Sequence, residues 1–209
     1  MRRFLLISTL LSVLLLFGCA GLFKREAIPI RYYRINYPEP TVASTYQSKK
    51  NLLVKRVKVN SAYDRGVLIF RDHDQSFGFY TYDEWLSNAD EQIYTLVSRD
   101  LLKFGLFSSL VARDSGVLPD YILNIFLTEL FEDRTEDDAK AVVSLTYTLS
   151  SRSDDKILYQ KDFNVTRSSQ EGNPDSFAKE VSLCLEQIEK EFLPALKQAI
   201  QSAEQEKAQ

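Results

Sequence analysis

Short apolar runs separated by polar loops fill the first part of the chain after residue 30, and this pattern predicts β-strands. Residues 31–35 are rich in aromatic and β-branched side chains and end before two prolines, which predicts a first strand. Residues 53–59 alternate apolar and basic side chains, apart from Lys55, and predict a half-buried strand. The apolar residues 67–70 and 77–80 predict two strands that pair across a polar loop.

Helical spacing of apolar residues begins near residue 82 and predicts a first helix over residues 82–104. Thr81 and Glu84 have the spacing of an N-terminal capping box, and Gly105 suits the position just after a helix. We expect one apolar stripe to face the sheet. Its members are Leu86, Ala89, Ile93, Leu96, Val97, Leu101 and Phe104.

The strand pattern returns after this helix and becomes more regular. Residues 110–112 predict a short strand, and residues 121–130 are apolar on both faces, as expected of a central strand. Residues 143–149 alternate strictly between large apolar residues and serine or threonine, so one face of this strand is buried and the other is polar. With residues 157–165, which are apolar on one face, they predict an antiparallel meander.

A second amphipathic helix starts at residues 173–175, where Asn, Pro and Asp supply a cap, a proline at the first helical position and an acid in the first turn. Pro194 is expected to kink this helix or end its packed part, and residues 201–209 are expected to be a frayed polar tail. The predicted buried stripe is Phe177, Val181, Cys184, Ile188, Phe192, Ala195 and Ala199. The predicted fold over residues 31–200 is a single two-layer α/β (α+β) domain, with both helices on one face of a mostly antiparallel sheet.

An apolar run over residues 4–17 follows Arg2 and Arg3 and closes in a lipobox, Leu16-Phe17-Gly18-Cys19. The run is too short for a spanning helix, which needs about 20 apolar residues, and it suits a signal peptide. We therefore predict a signal peptide over residues 1–18, a diacylglycerol and an N-acyl chain such as palmitate on Cys19, and a tether over residues 19–30. An ordinary secretory signal or a short membrane anchor is the alternative.

Charge and cysteine content narrow the function classes. The chain has 26 Lys and Arg against 29 Asp and Glu, and loss of the predicted signal peptide removes two of the arginines. An acidic mature chain is not expected to bind nucleic acid. If Cys19 carries lipid, Cys184 has no intramolecular partner, so no disulfide holds the fold. Cys184 falls among apolar residues of the last helix, which favours a buried, inert thiol over a reactive one.

Residue types that usually carry chemistry are sparse. His73, the single histidine, lies between Asp72 and Asp74, but no further ligands stand at recognisable spacing, so no metal site is predicted. The acidic residues 132–138 lack the ligand spacing and glycine of a calcium loop and predict a solvated hairpin tip. The sequence has no glycine-rich phosphate loop and no nucleophile elbow. It therefore argues against an enzyme and against a bound cofactor.

Aromatic residues crowd positions 77–85. One interpretation places them in the seam between the first helix and the sheet. The other makes them a partly exposed apolar surface that docks a partner or a lipid chain, since such clusters are enriched at interaction surfaces. Both can hold for different rings. The candidate partner-binding residues are Phe77, Phe79, Tyr80, Tyr82 and Trp85.

Five short motifs follow the lipobox in an order that resembles a known family, the auxiliary lipoproteins of ABC-type lipid transport systems that work with MCE-domain proteins. The similarity covers about residues 30–110 by motif and extends to about residue 200 by the order of elements. The motifs are Tyr32-Tyr33-x-Ile35, Val54-x-x-Val57-x-Val59, Tyr63-Asp64-Arg65-Gly66, Leu68-Ile69-x-Arg71 and Tyr82-x-x-Trp85.

This resemblance implies a lipid-anchored subunit of the outer membrane that faces the periplasm. Such a subunit meets an MCE-domain protein of an ABC-type transporter and helps phospholipid pass between the inner and outer membranes, without catalysing a reaction. Members of the family can assemble into rings, so a homo-oligomer is expected. Ala20, rather than aspartate, follows Cys19, which agrees with outer-membrane sorting in enteric bacteria.

Two other hypotheses stay open at the level of sequence. The first is a lipoprotein adaptor that activates or scaffolds an envelope or cell-wall assembly enzyme. Loss of function would then give cell-shape or peptidoglycan defects, whereas loss of a transport subunit would give defects in lipid asymmetry and detergent resistance. The second is an envelope hydrolase, for which His73 is the best candidate base.

Overall fold

The computed structural model describes residues 27–73, 75–112, 114–136 and 138–206. The predicted signal peptide and lipobox, with Cys19, lie outside these residues, as does Asp74 beside His73. From Arg31 onward the chain forms one compact unit.

Nine strands and two helices make up the described part of the chain. The bounds in chain order are β1 (Arg31–Tyr33), β2 (Ser48–Val54), β3 (Lys58–Val59), β4 (Val67–His73), β5 (Ser76–Trp85), α1 (Ala89–Phe104), β6 (Phe107–Leu110), β7 (Tyr121–Asp133), β8 (Lys140–Ser151), β9 (Ile157–Ser168) and α2 (Pro174–Glu206).

Strand β7 is the centre of a mixed sheet. Along one side it pairs antiparallel with β8, which in turn pairs antiparallel with β9. Along its other side it pairs in parallel with β2, β3 and β4 in succession. Strand β5 then pairs antiparallel with β4 and in parallel with β1. The α+β class, the central strand and the meander are confirmed, and the strands before β7 add parallel pairings to the predicted antiparallel ones.

Both helices lie over one face of this sheet, as predicted. The apolar residues at alternate positions of β8, from Val143 to Leu149, are almost completely buried on that side, and the predicted α2 stripe is buried from Phe177 to Phe192. Removing one such large side chain from water is worth about 1.5–3 kcal/mol. The opposite, helix-free face carries the serine and threonine residues of β8.

Helix α1 begins later than its sequence pattern predicts. It starts at Ala89, whereas residues 82–85 belong to β5, so the proposed capping box of Thr81 and Glu84 is wrong. The end of β5 has strand partners on both sides, β1 and β4, and this pairing prevails over the local helical spacing. Leu86 is accordingly 60% exposed. The predicted helix end is confirmed, since Gly105 has φ 70° and its N–H donates to the Leu101 carbonyl.

Helix α2 begins as predicted but does not end as predicted. The Ser176 N–H donates to the Asn173 side chain (3.2 Å), which caps the first turn. The helix continues through Pro194 to Glu206, so residues 201–206 are helical and not a frayed tail. After Pro194 the buried stripe consists of Leu196, Ile200 and Ala203, while the predicted Ala195 and Ala199 are half-buried.

Contacts with the sheet explain why α2 remains ordered near its C-terminal end. Glu204 accepts a hydrogen bond from the Tyr121 hydroxyl (3.1 Å) and others from the hydroxyls of Tyr46 and Ser48. Three hydroxyls from neighbouring elements therefore fix one carboxylate of the last helical turns. The short strand predicted at residues 110–112 is also displaced, because β6 ends at Leu110 and pairs with β2 over residues 107–110.

Candidate functional site

Strand β5 carries all five candidate aromatic residues, and the strand divides them between the two faces of the sheet. Phe77 and Phe79 pair with Arg71 and Ile69 of β4 and are each 44% exposed. An irregularity in this pairing between Phe79 and Glu84 changes the face on which the later side chains lie. Trp85 consequently packs into the helix-covered core, 6.0 Å from the ring of Phe177.

The remaining two aromatic residues differ from each other as well. Tyr80 is half-buried against the main core, while Tyr82 is 42% exposed. The core interpretation is therefore confirmed for part of the cluster, and the exposure that the docking interpretation requires is found in another part, while docking itself stays a prediction. Trp85 and Tyr80 belong to the core beneath the helices, and Phe77 and Phe79 lie on the helix-free face.

A second, smaller apolar cluster on the helix-free face holds Phe77 in place. The Tyr63 ring stacks on Phe131 with centroids 5.9 Å apart, and Phe77 meets both rings edge to face, at 6.4 Å and 5.4 Å. Ile69 and Val142 complete the cluster. We call Tyr63, Ile69, Phe77, Phe79 and Phe131 the aromatic patch. Edge-to-face contacts of this kind fix ring orientation, so the exposed side of Phe77 is a preformed surface.

Two arginines lie over rings of the aromatic patch. The Arg65 guanidinium is 5.1 Å from the Phe79 centroid, and that of Arg71 is 5.0 Å from the Phe131 centroid. Arg71 also pairs with Asp133 at 2.6 Å, which fixes its position. Aromatic residues and arginine are the types enriched in protein–protein interfaces, so the chemistry of this surface suits the docking of a protein.

Polar side chains form the border of the aromatic patch on the β8 side. Ser144 donates to Glu129 (2.7 Å), and Thr146 donates to Asp162 of β9 (2.6 Å). The helix-free face is thus apolar over β4, β5 and the end of β7 and hydrophilic over β8 and β9. A confined apolar area with a polar rim is the usual form of a binding surface.

A buried charge network lies under the same end of the sheet. Glu132 is fully buried and accepts hydrogen bonds from Tyr80 (2.6 Å), Arg134 (2.6 Å) and Ser169 (3.2 Å). Burial and the bond to Glu132 raise the pKa of Tyr80. The described acidic residues of the 132–138 segment do surround the β7–β8 turn, and Glu136 and Asp138 are exposed as predicted. Glu132 is not solvated, because it is buried and pairs with Arg134.

The remaining candidate groups are His73 and Cys184. His73 is exposed at the end of β4. Across the residues that the structure describes, no three His, Cys, Asp or Glu side chains are grouped so that they could hold a metal ion. The prediction of a buried Cys184 is confirmed, and burial raises the pKa of its thiol to about 12, so the thiol is protonated at neutral pH.

Comparison with known protein families shows which family this chain belongs to. A family model described as ABC-type transport auxiliary lipoprotein component matches residues 33–192. The chain belongs to the ABC-type transport auxiliary lipoprotein family. A comparison with curated protein sequences finds no match. In the described part of this auxiliary lipoprotein, no helix is both long enough and apolar enough to cross a membrane.

Solved structures share the fold of this auxiliary lipoprotein. Protein XCC0632 from Xanthomonas campestris, of the DUF330 family, has a TM-score of 0.75 at 18% identity, over 84% of this chain and 99% of that one. A protein described as uncharacterized has a TM-score of 0.61 at 14% identity, over 81% and 99%. The hypothetical protein CT253 from Chlamydia trachomatis has a TM-score of 0.54 at 10% identity, over 72% and 96%.

The sequence pattern identified Phe77 and Phe79 as candidates, but it did not predict which other residues would surround them in the aromatic patch. Tyr63 and Arg65 come from one of the motifs that carry the family resemblance, and Ile69 and Arg71 come from another. The structure brings both motifs to the aromatic patch. Motif membership was the available signal for these four residues, whereas nothing in the sequence marked Phe131.

Proposed function

We propose that this auxiliary lipoprotein is a non-enzymatic accessory subunit of an MCE-domain, ABC-type phospholipid transport system that connects the inner and outer membranes. In this proposal the lipid on Cys19 anchors the protein in the outer membrane, and the folded domain faces the periplasm. The family resemblance also implies that several copies of the protein assemble into a homo-oligomeric ring. Membership in the auxiliary lipoprotein family supports a role in transport.

The convergence of two family motifs on the aromatic patch is the observation that carries the partner-binding part of the proposal. Tyr63 and Ile69 form its buried base, and the arginines of both motifs lie over its rings. These residues do not serve the main core, which lies on the other side of the sheet. We therefore assign the aromatic patch as the surface that docks the MCE-domain partner.

The chemical groups of the domain support an accessory role over a catalytic one. The Cys184 thiol is buried and protonated, so it is a poor nucleophile. His73 is exposed on a strand end, where it gives a hydrolase no sheltered base. The adaptor hypothesis uses the same patch with a different partner, and the following experiment separates the two.

Replacing Phe77 and Phe79 together with serine will reduce recovery of the MCE-domain partner at least about tenfold, because truncating an aromatic anchor at an interface typically costs 2 kcal/mol or more. The lipidated protein is purified from envelopes after mild crosslinking, and co-purifying proteins are quantified by mass spectrometry. Leu102→Ser is the matched control, since Leu102 is 63% exposed on α1 and lies outside the aromatic patch.

Undiminished recovery of the MCE-domain protein by the double variant would refute the assigned surface. Recovery of a cell-wall synthase without any MCE-domain protein, from wild type, would favour the adaptor hypothesis instead. Circular dichroism of both variants checks that the domain is folded, because Phe77 also contacts Tyr63 and Phe131.

Replacing Cys19 with serine will leave an uncleaved or mislocalised precursor, because serine has no thiol to receive the diacylglycerol. Membrane fractionation and intact-mass measurement report the anchoring and the processing. The folded domain will be unchanged, as its circular dichroism spectrum will show. Full complementation of a deletion strain by this variant would contradict a need for the lipid anchor.

A further inference from the structure

A cavity of about 480 Å³ lies between α1, α2 and the segment of residues 37–42. It is separate from the aromatic patch, and none of the preceding roles uses it. Its volume falls in the range of small-molecule sites, about 300–1,000 Å³. Apolar side chains from all three segments line it: Pro38, Pro40, Val42, Phe104, Leu193 and Pro194.

Polar groups lie at the buried end of this cavity. Glu189 of α2, only 2% exposed, lines it together with Asp100 of α1 and Tyr37. Glu189 Oε1 accepts a hydrogen bond from the Tyr147 hydroxyl of β8. Glu189 Oε2 is buried and has no hydrogen-bond partner among the described residues. A buried polar oxygen without a hydrogen-bond partner is costly whether or not it carries a proton, by about 1–3 kcal/mol, so this oxygen is a natural contact for a ligand.

The acids around the cavity differ in whether a base pairs with them. Asp100 pairs with Arg99 at 2.8 Å. Nearer the mouth, Glu39 pairs with Lys103 at 3.0 Å and Glu186 with Lys190 at 2.6 Å. Glu189 has no ion pair within the described part of the chain.

The protonation of Glu189 follows from these surroundings. Burial raises its pKa to about 8, the hydrogen bond from Tyr147 and the charge of Arg99 oppose this rise, and the charge of Asp100 adds to it. The hydroxyls of Tyr37 and Tyr147 are neutral, because burial raises both pKa values. Since a raised carboxyl pKa means a bound proton below it, Glu189 is mostly neutral at pH 7. Every other acid lining the cavity has a basic partner, so among the described residues of the lining only the ionised form of Glu189 lacks a counter-ion.

We propose that this cavity binds a small amphipathic amine, whose ammonium group pairs with Glu189 and whose apolar body contacts Phe104 and Leu193. Binding converts the neutral carboxyl of Glu189 to a carboxylate, and its proton passes to the solvent, so one proton is released for each cation bound. The carboxylate then has both oxygens occupied, Oε1 by Tyr147 and Oε2 by the ammonium. This inference does not depend on the transport role.

The test is calorimetric titration of the full lipidated protein in a non-ionic detergent with cyclohexylamine, cyclohexanol and cyclohexanecarboxylate. These probes share one apolar ring and differ in charge, and titration into detergent alone supplies the blank. We expect the amine to bind at least about tenfold more tightly than either other probe, as a charge-assisted hydrogen bond predicts. At pH 7 its heat will depend on the ionisation enthalpy of the buffer, showing proton release, and this dependence will weaken at pH 9.

Variants locate the site. Glu189→Gln will reduce amine affinity at least about tenfold, to that of cyclohexanol, and will abolish the proton release. Glu191→Gln makes the same change on the same helix, at an exposed side chain outside the cavity lining, and will preserve both. Val42→Trp places a large side chain at the mouth of the cavity, at a position that is 70% exposed. It will weaken amine binding without removing a buried contact. This variant tests the site even if Glu189→Gln does not fold.

Three results would overturn the proposal. The first is equal affinity for amine and alcohol, which would mean an apolar cavity without charge recognition. The second is amine binding that releases no proton at pH 7 or that survives both Glu189→Gln and Val42→Trp. The third is the lack of measurable heat with cyclohexylamine above the blank.

Discussion

Replacing Glu132 with glutamine will lower the free energy of unfolding by about 3 kcal/mol, because it leaves a buried guanidinium without its counter-ion. Glu132 is fully buried, and Arg134, whose side chain is 11% exposed, donates to it at 2.6 Å. Glutamine keeps the shape and can still accept from Tyr80, so the change removes mainly charge. Asp72 lies 3.6 Å from Arg134 but is about half exposed. Water therefore screens its attraction to the Arg134 charge, and Asp72 does not replace Glu132 as the counter-ion.

Urea unfolding followed by circular dichroism measures this effect, and Glu136→Gln is the control. Glu136 lies on the same turn and pairs with Lys140, but its side chain is 69% exposed, so its replacement will change the free energy of unfolding by less than about 1 kcal/mol. Adding Arg134→Met to Glu132→Gln will restore at least about half of the loss, since the unpaired charge is then gone. Equal losses in the single and double variants would contradict this explanation.

Replacing Phe192 with alanine will lower the free energy of unfolding by about 3–5 kcal/mol, the usual result of emptying an aromatic site in a core. The Phe192 ring is completely buried on α2 and stacks on Tyr147 of β8, with centroids 4.1 Å apart and planes at 24°. It also contacts Tyr159 of β9 at 5.9 Å. One side chain thus joins α2 to two strands of the meander, and its loss leaves a cavity between the layers.

The same unfolding measurement applied to Leu102→Ala supplies the comparison. Leu102 is also an apolar helix residue, but it is 63% exposed, so its truncation will alter stability by no more than about 0.5 kcal/mol. A loss below about 1 kcal/mol for Phe192→Ala would mean that α2 does not pack on β8 and β9 as described.

The elements that sequence patterns predicted well are those whose signals are local. Strand β8 alternates apolar and small polar residues without interruption, and its buried face from Val143 to Leu149 is the predicted one. The start of α2 was predicted because Asn173 and Pro174 satisfy the backbone of the first turn by themselves. Gly105 ended α1 for a similar reason, as it adopts a positive φ without strain.

The elements that were predicted wrongly depend on partners distant in the chain. Residues 82–85 have helical spacing, yet they form strand because β1 and β4 lie on either side of them. The last turns of α2 look like a polar tail until Tyr46, Ser48 and Tyr121 donate to Glu204. In both cases hydrogen bonds to remote residues outweigh a local preference of a few tenths of a kcal/mol per residue.

The candidate site shows the same division. Aromatic crowding over residues 77–85 was visible in the sequence, but the face on which each ring lies was not. That depends on the pairing irregularity between Phe79 and Glu84, which sends Phe77 and Phe79 to one face and Trp85 to the other. Phe131 joins the aromatic patch only because β7 lies beside β4.

The sequence by itself determined the α+β class, the meander, the two amphipathic helices, the predicted lipobox at Cys19 and the family resemblance, since each rests on periodicity or on residues adjacent in the chain. Only the tertiary structure decided where α1 begins, which aromatic rings are exposed and that Glu132 and Glu189 are buried. A side chain's exposure and its hydrogen-bond partners depend on elements that pack against it from elsewhere in the chain, and one-residue changes in strand register reverse the face.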